Sequence, residues 1–333
     1  MFNAVPMVEV FRGGRLESLH WGHAVICDGK GQVLREWGDA STVIFPRSSC
    51  KMIQALPLVE SGTARDLSPD HLALACASHQ GAAVHTEFVA RWLGDLGLGE
   101  ADLRCGAHEP YDRAARDGLI AGHEGPCQLH NNCSGKHAGF LMQTQAMKAG
   151  PEYIDPDHPL QQAILQATNE VTGEVSPGYG IDGCSAPNHA CTLHGLGRAM
   201  GAFAAASDAG DARSRAMHRL TQGMMARPDL VAGEGRACTE LMRAVTEPVA
   251  LKTGAEAVYT AILPQRGIGI AVKIADGNAR ASEAVITGML VDLGALDAQH
   301  PAARKRLGPT APNCRGTVTG HVQLTGDFFH GNA

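Results

Sequence analysis

The chain's ten cysteines include no Cys-x-x-Cys pair, which excludes a thioredoxin-like motif and the common zinc ribbon. No block of Lys and Arg occurs, and the net charge is -6. That excludes nucleic acid and anionic membrane surfaces as expected partners. The longest apolar stretches are broken by glycine or polar residues well short of a membrane span. The opening Met1-Phe2-Asn3-Ala4-Val5-Pro6 lacks the basic and apolar regions of a signal peptide. A cytoplasmic location is therefore expected, with the cysteines reduced and most of them acting as small buried apolar residues. Internal repeats, linkers and low-complexity tracts are also missing. Hydrophobic residues make up 44% and charged ones 19% of the 333 residues, as in an ordinary globular protein with ample length for a core.

The hydrophobic pattern predicts strands at both ends of the chain. Met7 to Phe11 alternates, Gly13-Gly14 turns, Leu19 to Cys27 resumes, and Asp28-Gly29-Lys30-Gly31 is a hairpin turn leading to Val33-Leu34 and Trp37. After Pro46 the period becomes helical, with Met52, Ile53, Leu56 and Val59 continuing to Gly62. Further helices are expected over 85–96, 159–171, 193–206 and 282–296. Strands return at 257–263, 268–274 and 317–324. The predicted architecture is α+β: an antiparallel sheet built from both chain ends, with flanking helices and an inserted helical lobe. A single catalytic domain over 1–333 is expected, its sheet part about 1–45 and 250–330 and its helical part about 46–249.

Five clusters carry chemistry. In Arg47-Ser48-Ser49-Cys50-Lys51, a helix starting here would set Ser48 and Lys51 one turn apart on one face. A serine hydroxyl is a poor nucleophile until a base such as a neutral lysine takes its proton. Alone, the pattern more often describes a helix-capping serine and a lysine lying along the surface. Lys252-Thr253-Gly254 before the late hairpin strengthens the catalytic reading. Ser-x-x-Lys on a helix with Lys-Thr-Gly at a sheet edge is the arrangement of serine β-lactamases and penicillin-binding proteins. Ser78-His79-Gln80-Gly81 could supply a further hydroxyl. Asn132-Cys133-Ser134-Gly135-Lys136-His137-Ala138-Gly139 and Asp182-Gly183-Cys184 offer two thiols with lysine, histidine and aspartate nearby, donors suited to zinc. Spacing alone leaves two inert cysteines as an equal alternative.

These phrases, with Lys252-Thr253-Gly254-Ala255-Glu256, occur in an order that resembles the asparaginase II family, the Rhizobium etli type of L-asparaginase. The resemblance runs from about Val8 to about Thr325. It implies a fold similar to serine β-lactamases, penicillin-binding proteins and glutaminases. It also implies two Ser–Lys tandems, Ser48 with Lys51 and Ser78 with Lys252, and zinc held by Cys133, Lys136 and Cys184. Asp182 would support the metal donors, and Arg47, His137 and Asp182 are the substrate-binding candidates. One zinc per chain, assisting substrate binding, no organic cofactor and a homodimer complete the expectation. Two positions depart from or add to the pattern. Ala257 stands where the family pattern has glycine, which would tighten the strand after Lys252, and Cys238 is a further thiol upstream.

The expected reaction is L-asparagine hydrolysis to aspartate and ammonia through a serine acyl-enzyme. Two rivals stand beside it: a glutaminase-like amidohydrolase using zinc-bound water, and a non-catalytic amino-acid-binding protein.

Overall fold

A computed structural model describes residues 3–326. The chain divides into two compact units, one comprising Met1–Ser49, Cys191–Ala205 and Glu240–Ala333, the other Cys50–Ala190 and Ala206–Thr239.

The first unit is organised by an antiparallel sheet of eight strands. Its order is Thr310–Pro312, Val318–Leu324, Val5–Arg12, Arg15–Asp28, Ile268–Ile274, Val258–Leu263 and Ala250–Gly254, with Val33–Trp37 pairing to Arg15–Asp28 off this path. Strands from both ends of the sequence thus lie side by side, as the hydrophobic pattern predicts, in register pairs such as Val8 with Leu324 and Ile270 with Ile26. Every residue of Val258–Leu263 and Ile268–Ile274 is buried, so both faces of the sheet centre are covered. Helix Leu193–Ala205 packs there at unusually short range. A Cβ on Gly269 would lie 2.1 Å from the Gly201 nitrogen, and one on Gly197 would lie 2.7 Å from the Val25 side chain. Such close approach of backbones requires glycine.

The second unit is helical, with one short hairpin, Tyr179–Ile181 against Pro187–His189. At its centre is helix Ser134–Ala146, whose first eight residues are all buried. Gly135 lies against the Leu74 carbonyl and Gly139 against Leu58 and Trp92. The helix expected to run unbroken to Gly62 is two short ones, Lys51–Gln54 and Leu56–Glu60. Pro57 is the reason: it has no N–H to give the Ile53 carbonyl, and its ring crowds that oxygen. Helix Arg113–Ala121 buries none of its residues. Among the described residues, no helix is long and apolar enough to cross a membrane.

Candidate active site

Arg47–Cys50 forms a 3₁₀ turn that runs directly into Lys51–Gln54. Ser48 lies within this turn, and Lys51 opens the helix that follows it. Ser49 is 0% exposed, and its hydroxyl donates to the Pro46 carbonyl at 2.7 Å. Cys50 is buried, its sulfur accepts from Asn188 Nδ2 at 3.7 Å, and burial pushes its thiol up to about 11. Ser48 is half-buried. Arg47 has φ 53°, in the left-handed region, a conformation that costs a side-chain-bearing residue about 1–2 kcal/mol.

Lys252 lies within the edge strand Ala250–Gly254, opposite Thr260. The Thr260 hydroxyl sits 3.2 Å from both the Lys252 and the Ser49 carbonyls. A Cβ on Gly254 would come within 2.7 Å of the Pro46 oxygen. The first unit therefore packs the Lys252 strand directly against the turn that carries Ser48. Lys252 is buried, and its Nζ donates to the Thr253 carbonyl at 2.8 Å. After Gly254 the chain turns through Glu256 and Ala257, both with positive φ, at 56° and 55°. The departure at Ala257 thus burdens this turn, where glycine would be unstrained, rather than tightening the strand.

The second unit gathers the other motifs. Lys51 is 1% exposed, and its Nζ donates to the carbonyl of Ala77, the residue before Ser78. The Ser78 N–H donates to Val231 O at 2.9 Å and the His79 N–H to Asn132 O at 3.1 Å. The His79 ring bonds Ser134 Oγ at 2.9 Å. Gln80 Nε2 donates to Asp112 Oδ2 at 3.0 Å. The Ser-His-Gln-Gly loop is thereby fastened to the start of helix Ser134–Ala146.

Cys133 occupies the N-cap of that helix. Lys136, one turn on, places Nζ 3.2 Å from Cys184 Sγ and 4.9 Å from the Phe140 ring centre. A hydrogen bond from Cys133 holds the Cys184 thiol well below the ordinary range, with burial opposing and the Lys136 charge assisting. The same hydrogen bond, then burial, holds Cys133 high. Burial alone would lower Lys136, but the sulfurs of Cys184 and Cys133 and the Asp182 carboxylate overcome it and raise its pKa. Asp182 closes a tight turn in which Ser185 N donates to its carbonyl at 2.8 Å, and Ser185 itself has φ 68°. His137 is 0% exposed, and burial lowers it to about 4. Its Nδ1 lies 2.9 Å from the Tyr153 hydroxyl, which already accepts from the Arg104 N–H at 2.7 Å.

Two buried sulfurs and a lysine amine within reach of them form a donor set that suits a soft divalent ion. Among the described residues, no three His, Cys, Asp or Glu side chains group as a metal cage, so any zinc here depends on Lys136 as a donor. Cys238 is buried at the start of helix Ala237–Ala244.

The structure places the predicted residues in two sets. Arg47, Ser48 and Lys252 stand in the sheet unit; Lys51, Ser78, Cys133, Lys136, His137, Asp182 and Cys184 stand in the helical one. Sequence reasoning missed the ties that hold the second set, above all His79 to Ser134, Gln80 to Asp112 and His137 to Tyr153. The only hint was polar residues crowded into glycine-containing turns.

The fold is that of an α+β protein, with an antiparallel sheet in one unit and helices in the other. The chain belongs to the L-asparaginase II family, whose model matches residues 8–324. No curated protein matches it. Among solved structures it is similar to Mglu in its native form, with 14% identity over 82% of this chain and 64% of that one, TM-score 0.45. It is also similar to a β-lactamase from Mycobacterium bovis, with 10% identity over 83% of this chain and 95% of that one, TM-score 0.43. The chain spans less than two thirds of the length of the Mglu structure.

Proposed function

We propose that the protein hydrolyses the side-chain amide of L-asparagine to L-aspartate and ammonia, with Ser48 as nucleophile. The observation that carries this reading is the contrast among three neighbours: Ser49 is spent on Pro46 and Cys50 is a buried, high-pKa thiol, whereas Ser48 is half-buried. Ser48 Oγ attacks the amide carbon while Lys51 takes its proton. The C–N bond then breaks, and Ser78 with Lys252 passes a proton to the departing ammonia. Water cleaves the resulting β-aspartyl ester, returning the Ser48 hydroxyl. Arg47 is assigned to the substrate α-carboxylate, and His137 and Asp182 are assigned to substrate binding. The chain is proposed to work as a homodimer.

Cys133, Lys136 and Cys184 would hold zinc, which when bound supplies a positive charge that orients polar groups of the substrate. The chain's own residues carry every proton transfer.

Ammonia release from L-asparagine and L-glutamine tests the assignment. Asparagine should be preferred at least tenfold in kcat/KM, a discrimination that one methylene can supply (about 1–3 kcal/mol). Equal or better glutamine turnover overturns the asparagine reading. Chelation should raise KM and leave most of kcat, and Cys133→Ser or Cys184→Ser should lose zinc by elemental analysis. Abolished kcat on chelation would instead place the metal in the chemical step.

A further inference from the structure

His79 and Ser134 form a buried Ser–His contact that the proposed reaction does not use. The direction of its hydrogen bonds excludes a second nucleophile. The Gly81 N–H donates to His79 Nδ1 at 3.2 Å, so the neutral ring carries its proton on Nε2. That proton is donated to Ser134 Oγ at 2.9 Å, and Ser134 in turn donates to the Leu129 carbonyl at 2.9 Å. A base must accept the serine proton, and here the imidazole is the donor. Both side chains are 0% exposed. The ring is further fixed by stacking on His85, with centroids 4.8 Å apart and planes 8° from parallel. His85 Nε2 lies 3.0 Å from the Asp229 carbonyl.

The loop served by this ring carries Ser78. On one side Lys51 holds the Ala77 carbonyl. On the other, His79 backbone and ring hold Asn132 and Ser134, which flank Cys133. Gly81 completes the fit: its φ is +74°, and a Cβ there would lie 2.9 Å from the His130 carbonyl.

We infer that His79 is a positioning residue, a neutral donor that locks the Ser78 loop to the helix start bearing Cys133 and Lys136, so that the placement of one fixes the other. Its consequence for turnover rests on the role of Ser78 proposed above; the mechanical tie itself does not.

Ser134→Ala removes the ring's acceptor, while Ser134→Thr keeps a hydroxyl. Two readouts are measured on the full chain: exchange of the Gly81 amide hydrogen, and kcat with KM for asparagine. In Ser134→Ala the Gly81 amide should lose protection at least tenfold. Its kcat should fall roughly 10- to 100-fold, the scale of a displacement near 1 Å, with KM within about twofold. Ser134→Thr should restore both. His79→Asn should reproduce the Ser134→Ala loss, and the double variant should add little. Unchanged Gly81 exchange in folded Ser134→Ala overturns the tie. Lost exchange protection with unchanged kcat overturns its bearing on the reaction. If Ser78→Ala also turns over normally, the role of Ser78 fails instead, and the exchange result still decides the tie.

Discussion

Arg47 keeps a left-handed backbone one residue before the proposed nucleophile, and strain of that kind persists where the surroundings demand it. Removing the side chain separates its two roles. Arg47→Gly should be at least as stable to urea as the wild type, because relief of about 1–2 kcal/mol outweighs the added freedom of glycine in the unfolded chain. Its KM should nevertheless rise tenfold or more, the scale of a lost charged hydrogen bond worth about 1.5–3 kcal/mol. Arg47→Ala should share the KM rise without the stability gain. An unchanged KM in both would remove Arg47 from the substrate. At the next position, Ser48→Ala should lose roughly 10³-fold or more in kcat with the fold intact. Lys51→Met should lose a similar amount, and the double variant little more. Ser49→Ala, which removes one of two hydrogen bonds to the Pro46 carbonyl and leaves the one from the Ser49 N–H, should keep most activity. Normal turnover by Ser48→Ala with a dead Ser78→Ala would exchange the roles of the two serines.

Strands and helices were legible where one hydrophobic period ran unbroken. Ile268–Ile274 is observed at its predicted bounds, and Pro159–Thr172 within one residue of them. The pattern failed at Leu56-Pro57, where helical spacing continued across a residue whose missing N–H divides the helix. Each motif could be read because its residues are contiguous in sequence. The ties within the helical unit could not, since His79 and Ser134 are 55 positions apart and Gln80 and Asp112 are 32 apart. Nor could the pattern show that helix Leu193–Ala205 presses glycines onto the sheet. That contact predicts a sharp difference between two glycines. Gly269→Ala should destabilise the protein by about 1–3 kcal/mol or more, as overpacking does. Gly308→Ala, at φ -159° with open space around it, should stay within about 0.5 kcal/mol of the wild type. Equal urea midpoints for the two variants would mean that the helix can lift away freely.

For the molecule as a whole, several buried imidazoles set the response to acid. Burial lowers His23, His71, His79, His85 and His189 below their ordinary value. In the unfolded chain these rings take up protons near the ordinary histidine value of about 6.5, while the folded chain resists until lower pH. Their contribution to stability is therefore complete above that value and is lost as pH falls from it toward the depressed folded values. Urea midpoints should drop between pH 7.5 and 5.0. A flat or rising profile would show that these rings gain protons without leaving their sites.

The sheet also ties the order of synthesis to the order of pairing. Glu9 bonds Gln323 across 314 positions of sequence, and closing so long a loop must precede any reward from the contact. Translation adds roughly 5–20 residues per second, so on the order of 15–60 s separate the first strand from the partner that covers its outer edge. Throughout that interval Val8 and Val10 present an unpaired strand edge, the feature by which chains associate wrongly. Nascent chains stalled before Val318 should therefore be the species that aggregates or engages chaperones, whereas those released after Leu324 close their own edge.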